Sequence, residues 1–217
     1  MFGIMNVLET CLKVSNSAVV LAATKCFLEF TKGRPDIQAQ VFRRLKTPLL
    51  TLMSSASSET AYCVVSHVKL LVQRARGVFD DEFKQFFCRY NEPTHVKHVK
   101  MDILPYLANA SNFEEIIAEL TEYVSDVDAD MARHAIRSIS DIAIRSAEAA
   151  DRVIGSLISL LDLDATYVKS ETVSSMKGKA EWRSLACTHQ VVTGVLTRFP
   201  YQPVPHRFVK KVSQSCF

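Results

Sequence analysis

Glycine is scarce in this sequence, with 6 residues among 217, and no Gly-rich loop of the kind that cradles phosphate groups is present. Long apolar runs are also missing: the longest, residues 18–23, is far shorter than the roughly 18–20 residues of a membrane-spanning helix. No basic residues precede the first apolar stretch, and Glu9 interrupts it, so no secretory signal is expected. We therefore expect a cytoplasmic protein.

Motifs for catalysis and metal binding are missing as well. The sequence has no GxSxG nucleophile elbow and no Ser-His-Asp or Cys-His arrangement at a spacing typical of catalysis. Its 6 cysteines include no CxxC pair, which argues against a zinc site or a disulfide framework. We expect reduced thiols that are mostly buried as small hydrophobic side chains. We predict no catalytic residue, no cofactor-binding residue, no cofactor and no metal ligand.

Apolar residues recur at helical spacing along most of the chain, and no long stretch alternates with period two. This pattern predicts an all-α fold. The clearest predicted helix faces are Phe79, Phe83, Phe86, Phe87 and Tyr90; Phe113, Ile116, Ile117, Leu120 and Val124; Ala135, Ile136, Ile139, Ile142 and Ala143; and Val153, Ile154, Leu157, Ile158 and Leu161.

Local signals predict how some of these helices begin and end. Ser111 and Glu114 have the spacing of a capping box, in which the two side chains satisfy free backbone N–H groups at a helix start. Pro48 and Pro105 fall inside apolar helical patterns. Because each proline removes a backbone hydrogen bond, we expect it to kink or end its helix.

Five short segments share a loose pattern of a small or aromatic residue followed by apolar and basic positions. Their second residues, called landmarks below, are 44, 33, 36 and 36 residues apart. Helix pairs that recur at about 35–45 residues are typical of an α-solenoid of HEAT/armadillo-like pairs, in which neighbouring pairs stack into one core. Each step should therefore contain two helices. The landmarks are Val19, Cys63, Val96, Ala132 and Val168.

Two histidines, His95 and His98, lie three residues apart, close to Lys97 and Lys100. A metal site needs further ligands, and Asp102 is the one acidic or thiol side chain at a supporting spacing. We favour a solvated, weakly basic helix face. The same face could contact an acidic partner or phosphoinositide headgroups.

Three acidic residues, Asp126, Asp128 and Asp130, alternate as they do at the start of a calcium-binding loop. The glycine and the bidentate glutamate of such a loop do not follow. Acidic side chains at a helix start complement the helix dipole, and we assign them that role. Similarly, the aromatic stripe within residues 79–90 is interpreted as core packing and not as a ligand site.

The net charge of +3 is unevenly distributed, because residues 177–217 carry +6 and residues 1–176 carry −3. A nucleic-acid-binding domain needs a basic face on its folded body, so no nucleic-acid partner is expected. The alternative function is a generic helical-repeat scaffold, in nuclear transport or associated with RNA, that uses this basic segment. In that case deletion of residues 177–217 should abolish nucleic-acid binding.

Several stretches between about residue 4 and Met176 resemble the trunk of the β subunits (adaptins) of heterotetrameric adaptor-protein complexes. Residues 86–93 and a Ser-rich turn at residues 54–58 look most like the β subunit of the fourth complex. The stretches that carry the resemblance are residues 4–9, 16–25, 46–52, 86–93, 118–124 and 128–139.

This resemblance implies a curved trunk of HEAT-like repeats that belongs to a membrane coat and has no enzymatic activity. It implies the medium, small and second large adaptor subunits as partners. It also implies peripheral association, through the complex, with trans-Golgi network or endosomal membranes, in vesicle-mediated transport and cargo sorting.

The sequence departs from the family pattern at its two ends. It begins where family members are several repeats along, and after Met176 a basic, proline-containing segment replaces the helical pattern; the family's hinge and ear are not matched. We expect residues 1–176 to form the helical-repeat segment and residues 177–217 to be a divergent, poorly ordered basic tail. Charge and pattern change together at Met176, which suggests a splice or gene-model junction.

Overall fold

The computed structural model describes residues 2–55 and 57–178, and the predicted basic tail lies outside these residues apart from its first two positions. The described residues form nine α-helices and one 3-10 segment, with no β-strand among them. None of these helices is long and apolar enough to cross a membrane. The helices are α1 (Phe2–Cys11), α2 (Ser17–Phe30), α3 (Pro35–Ser55), α4 (Ser58–Arg74), α5 (Thr94–Leu107), α6 (Phe113–Val124), α7 (Ala129–Arg145), α8 (Ala150–Leu160) and α9 (Thr166–Gly178), and the 3-10 segment is Asp80–Phe86.

The chain divides into two compact units, and the first, Met1–Leu107, contains α1 to α5. Each helix from α1 to α4 packs against the next, and α5 packs against α4 and the 3-10 segment. Phe27, Leu45, Val64 and Met101 come from four different helices and are almost completely buried. These helices therefore bury apolar side chains within this unit.

The second unit begins at Ala108, and its described part contains α6 to α9. Helix α7 packs against α6, α8 and α9, so it forms the centre of the described part of this unit. The predicted apolar faces of α6, α7 and α8 are confirmed as its core. Their most deeply buried members are Ile116, Leu120, Ala135, Ile136, Ile139, Ile142, Val153, Ile154 and Leu157.

The five landmarks all lie in α-helices, namely α2, α4, α5, α7 and α9. One further α-helix lies between successive landmark helices at three of the four steps, which confirms the predicted helix pairs there. The step from α4 to α5 is the exception, because the 3-10 segment occupies the place of the second helix. This step is also the shortest, at 33 residues.

The aromatic stripe that was predicted to form one α-helix face lies on the 3-10 segment and its flanks instead. Phe83 and Phe86 share one face because a 3-10 helix has three residues per turn, and both are buried together with Phe79. The chain is extended at Phe87, and Tyr90 is 100% exposed. The prediction of core packing is thus confirmed for the first part of the stripe, but the helix prediction is wrong and Tyr90 is not in the core.

Helix α3 continues through Pro48 to Ser55, so of the two predicted effects, a kink or an end, Pro48 does not end its helix. An interior proline costs a helix about 3 kcal/mol. Leu45 and Leu49 flank it and are completely buried, and each such side chain contributes about 1.5–3 kcal/mol. Packing of α3 therefore offsets the lost hydrogen bond. Pro105 lies in the last turn of α5, two residues before its end.

The predicted capping box at Ser111 is also not formed. Helix α6 begins at Phe113, and Ser111 donates hydrogen bonds from its backbone N–H and its hydroxyl to Oδ1 of Asn109, at 2.9 and 2.7 Å. Oδ1 of Asn112 in turn accepts the backbone N–H of Asn109 at 2.8 Å. Short asparagine side chains compete well for nearby backbone groups, and they determine the turn before α6.

Candidate functional site

Three side-chain pairs connect α4 to α5 along one face of the first unit. Lys69 donates to Asp102 at 2.7 Å, and Gln73 donates to the hydroxyl of Tyr106 at 3.1 Å. The rings of Tyr62 and His95 meet edge to face, with centroids 5.2 Å apart.

Each of these pairs joins equivalent positions of two successive repeats. Lys69 and Asp102 are 33 residues apart, as are Gln73 and Tyr106, and this separation equals the landmark step. The landmark alignment therefore describes the physical register of α4 on α5. We call the three pairs the inter-repeat ladder.

A corresponding contact in the second unit joins α7 to α9. The guanidinium of Arg137 donates two hydrogen bonds to Glu171, at 2.7 and 3.2 Å, in the bidentate geometry that planar Arg–carboxylate pairs favour. Hydrogen bonding to Glu171 raises the pKa of Arg137 above its ordinary value. The pair lies at the surface, where ion pairs contribute at most about 1 kcal/mol to stability. It defines the register of the two helices more than it stabilises them.

The structure places the two histidines on the first turns of α5 but does not bring metal ligands around them. His95 packs on Tyr62, and Asp102, the one supporting acid, forms an ion pair with Lys69. Among residues 2–55 and 57–178, no group of three His, Cys, Asp or Glu side chains could hold a metal ion.

Lys100 does not belong to the solvated basic face predicted for α5. Its side chain is 2% exposed, and its ammonium group donates to Oε1 of Glu92 at 2.6 Å and to the carbonyl of Phe87 at 3.3 Å. Oε2 of Glu92 accepts the backbone N–H of Arg89 at 3.0 Å. Sequence reasoning missed this pair because the path of the loop before α5 determines which carboxylate reaches the lysine.

The ion pair closes the loop between the 3-10 segment and α5 onto the helix. A buried ammonium group is costly unless it is paired with an opposite charge and makes further hydrogen bonds. Lys100 pairs with Glu92 and also donates to the carbonyl of Phe87. This loop lies within residues 86–93, one of the stretches that carry the adaptin resemblance. Tyr90, which is fully exposed, lies in this loop between Arg89 and Glu92, which are joined by a hydrogen bond.

The three alternating aspartates form the start of α7, as predicted. Oδ1 of Asp126 accepts the backbone N–H of Asp128 at 3.0 Å, and Oδ1 of Asp128 accepts that of Asp130 at 2.9 Å. Asp128 is the N-cap residue of α7, and Asp130 pairs with Arg133 at 3.1 Å. Capping and dipole compensation account for these carboxylates.

The cysteine prediction is half right. Cys11, Cys26, Cys63 and Cys88 are free thiols, but none of the four is buried, and Cys26 and Cys63 are exposed. The reason is visible on α2, where the buried face consists of Val20, Ala23, Thr24 and Phe27, and Cys26 lies off that face. Cys187 and Cys216 lie outside the described residues.

Charge is distributed very unevenly between residues 1–107 and residues 108–176. Residues 1–107 carry 14 basic and 9 acidic side chains, for a net charge of +5, whereas residues 108–176 carry 5 basic and 13 acidic side chains, for −8. The mild −3 of residues 1–176 conceals this difference. Any partner selected by charge should therefore distinguish residues 1–107 from residues 108–176.

The helix pairs resemble those of solved helical-repeat proteins. A designed armadillo repeat protein, solved in complex with the peptide (KR)4, matches with a TM-score of 0.54 at 14% identity, over 96% of this chain and 96% of that chain. A computationally designed armadillo repeat protein for modular peptide recognition gives a TM-score of 0.52 at 15% identity, over 96% and 97%. The fold is thus an all-α solenoid of the armadillo-like class, as predicted.

Within that class the sequence identifies the family. Residues 3–178 match the family described as "Adaptin N terminal region", and the chain belongs to this family. The resemblance found in the sequence is therefore confirmed over the whole described range.

The curated relatives are β-type subunits. "Beta-adaptin-like protein A" of Arabidopsis thaliana is 43% identical over 176 residues, which cover 81% of this chain and 21% of that protein. "AP-4 complex subunit beta-1" of Mus musculus is 35% identical over 191 residues, covering 88% and 25%. "AP-1 complex subunit beta-1" of Mus musculus is 37% identical over 166 residues, covering 75% and 18%. The chain thus spans about a fifth to a quarter of these relatives.

Proposed function

We propose that this chain acts as the trunk segment of a β subunit in a heterotetrameric adaptor complex, a non-enzymatic component of vesicle coats that serves cargo sorting in intracellular protein transport. The observation that carries the proposal is the adaptin match over residues 3–178, together with relatives named as complex β subunits. The action is protein–protein binding by the surfaces of stacked helix pairs.

The partners in this proposal are the medium, small and second large adaptor subunits, with no nucleic acid. Exposed apolar side chains on the described helices support a protein-binding role, since such side chains gain from burial against another protein. Ile4, Val7 and Ile144 are examples that are each about half exposed or more.

Among adaptor complexes we propose the fourth. Between the two mouse relatives, the one from the fourth complex aligns with 88% of this chain and the one from the first complex with 75%, at similar identity. The corresponding location is the cytoplasmic side of trans-Golgi network or endosomal membranes, reached as a peripheral subunit through the complex.

Co-purification tests the assembly. The tagged full chain is co-expressed with the medium, small and second large subunits of the fourth complex and, in parallel, with those of the first complex. We expect the chain to retain the medium or second large subunit, with preference for the fourth set. Full-length mouse AP-4 β1 serves as the positive control, because it shows that the partners are competent to bind.

A matched pair of variants tests whether capture of the subunits requires the folded chain. Ile139→Asp places a carboxylate in the core of α7 and should abolish capture, since Ile139 is completely buried. Lys13→Glu alters only an exposed side chain and should leave folding intact. Failure of the unmodified chain to retain any subunit, while the positive control retains them, would contradict the proposed assembly.

Microscopy tests the location. The fluorescently tagged chain should overlap with trans-Golgi network or endosomal markers, and its membrane signal should fall when the second large subunit of the fourth complex is depleted. A membrane signal unaffected by that depletion would show that the chain reaches membranes without the complex.

A further inference from the structure

A groove of about 480 Å³ opens between α2 and α4 in the first unit. Helix α4 packs along much of α5, but α2 touches α4 at only a few positions. The step between their landmarks is also the longest, at 44 residues, and contains the 21-residue helix α3. The groove is therefore the place where two successive landmark helices of this unit stand apart.

The groove has an apolar floor formed by Leu28 of α2 and by Leu70 and Leu71 of α4. Leu71 is buried, but 54% of Leu70 is exposed to solvent. Solvent-exposed leucine at the floor of a concave site favours an apolar ligand group, because covering it removes apolar surface from water. The volume falls within the range of about 300–1,000 Å³ that is typical of ligand sites.

Cations border this floor. Lys25 and Arg74 both line the groove and are exposed, and neither forms an ion pair with a described residue. The one acidic residue in the lining, Glu29, lies 3.8 Å from Lys32 at the surface. With a net charge of +5 for residues 1–107, the groove is complementary to negative charge.

We propose that this groove is a docking site for an acidic segment of a partner protein, which inserts one leucine-sized side chain between α2 and α4 and places carboxylates beside Lys25 and Arg74. The proposal goes beyond the role of the chain in a coat and does not depend on it. The apolar floor selects an apolar side chain in the ligand, and the two unpaired cations select against basic segments.

Direct binding to the full chain tests the proposal. The probe is a fluorescein-labelled peptide with one central leucine and two glutamates on each side. Two control peptides replace the leucine with asparagine or the glutamates with lysines. We expect the glutamate–leucine peptide to bind, and each control peptide to bind at least about tenfold more weakly, because one loses the anchor and the other reverses the charge.

Exposed residues allow variants that keep the fold. Lys25→Glu and Arg74→Glu should each weaken peptide binding by about fivefold or more, and Leu70→Gln should do the same by removing the apolar contact. Lys13→Glu makes the same change in net charge outside the groove and should leave affinity unchanged. Circular dichroism checks that every variant remains helical.

Two cysteines provide an independent readout of position. Cys26 lines the groove, whereas Cys63 is also exposed but lies outside the lining. Saturating peptide should slow the modification of Cys26 by a maleimide and leave the modification of Cys63 unchanged. Mass spectrometry of the cysteine-containing fragments measures both rates. Equal protection of both thiols would overturn the proposal, because the peptide would not be bound at the groove.

Other outcomes would also overturn it. If the lysine peptide binds as tightly as the glutamate peptide, or if Lys25→Glu and Arg74→Glu keep full affinity, charge does not select the ligand. If Cys26 becomes protected from the maleimide without peptide as the protein concentration rises, and sedimentation shows dimers, the groove binds a second copy of the chain. Protection by anionic vesicles but not by the peptide would assign it to lipid.

Discussion

The first unit departs from the repeat at both of its landmark steps, which are 44 and 33 residues long, whereas the step within the second unit is 36 residues. In the described part of the second unit the helices pack around α7, and the buried polar residues all have short side chains. In the first unit the long step is accompanied by a groove, and the short step by a 3-10 segment and a buried ion pair. The two irregular steps thus coincide with a groove and with a buried ion pair.

The largest expected effect tests the regular stack of the second unit. Ile139 lies at the centre of α7 and is completely buried. Ile139→Ala should lower the free energy of unfolding by about 3–4 kcal/mol, because the substitution loses apolar contact and leaves a cavity. Urea denaturation followed by circular dichroism measures the change.

The same helix offers a matched control. Ile144 is also in α7 but is 58% exposed. Ile144→Ala should change the free energy of unfolding by no more than about 0.5 kcal/mol, as is usual for surface substitutions. Similar losses for the two variants would mean that α7 is not packed as described.

The next effect tests the irregular step of the first unit. Lys100→Met removes the ammonium group and leaves the carboxylate of Glu92, which is 18% exposed, without its partner. We expect a loss of about 2–3 kcal/mol in the free energy of unfolding, toward the lower end for a broken buried pair because Glu92 keeps some contact with water. Urea denaturation again provides the measurement.

A double variant separates charge from shape at this site. Lys100→Met combined with Glu92→Gln removes both charges, so it should recover part of the stability lost in the single variant. No recovery would indicate that the hydrogen bonds of Lys100 to the loop, and not its charge pairing, carry the contribution.

The smallest expected effect concerns the start of α4. The pKa of Glu59 is lowered below its ordinary value, mainly by a hydrogen bond from the backbone N–H of the same residue and less by the side chains of Ser57 and Ser58. A lowered folded-state pKa gives stability that is present above the unfolded-state pKa and lost as pH falls through the folded-state value. Glu59→Gln should therefore be slightly less stable than the unmodified chain at pH 7, and equal to it at a pH below the lowered value. A difference that persists in acid would contradict this origin.

The fold could be predicted from the sequence to the level of helix pairs and their register. Landmarks such as Val96 and Ala132 fall in the predicted helices, and the buried faces of α6 to α8 are those that helical spacing selects. This succeeds because the apolar stripes are long and each is closed by its neighbours.

Features that depend on the path of short connections could not be predicted. The spacing from Phe79 to Tyr90 fits an α-helix, but the segment forms a 3-10 turn and a loop. Apolar spacing could not distinguish the two, because residues three apart, such as Phe83 and Phe86, share a face in both kinds of helix. The burial of Lys100 depends on where that loop places Glu92. The groove could not be found either, because the separation of α2 from α4 depends on how α3 packs.

The inter-repeat ladder has a consequence for changes of length. One residue inserted into α5 between His95 and Asp102 would rotate everything after it by about 100° around the helix axis. Asp102 and Tyr106 would then both turn away from α4, although neither residue nor its partner had been altered. We therefore expect this helix to tolerate substitution at its surface far better than insertion or deletion. In-frame insertion or deletion of a single codon should be more damaging here than replacement of one surface residue.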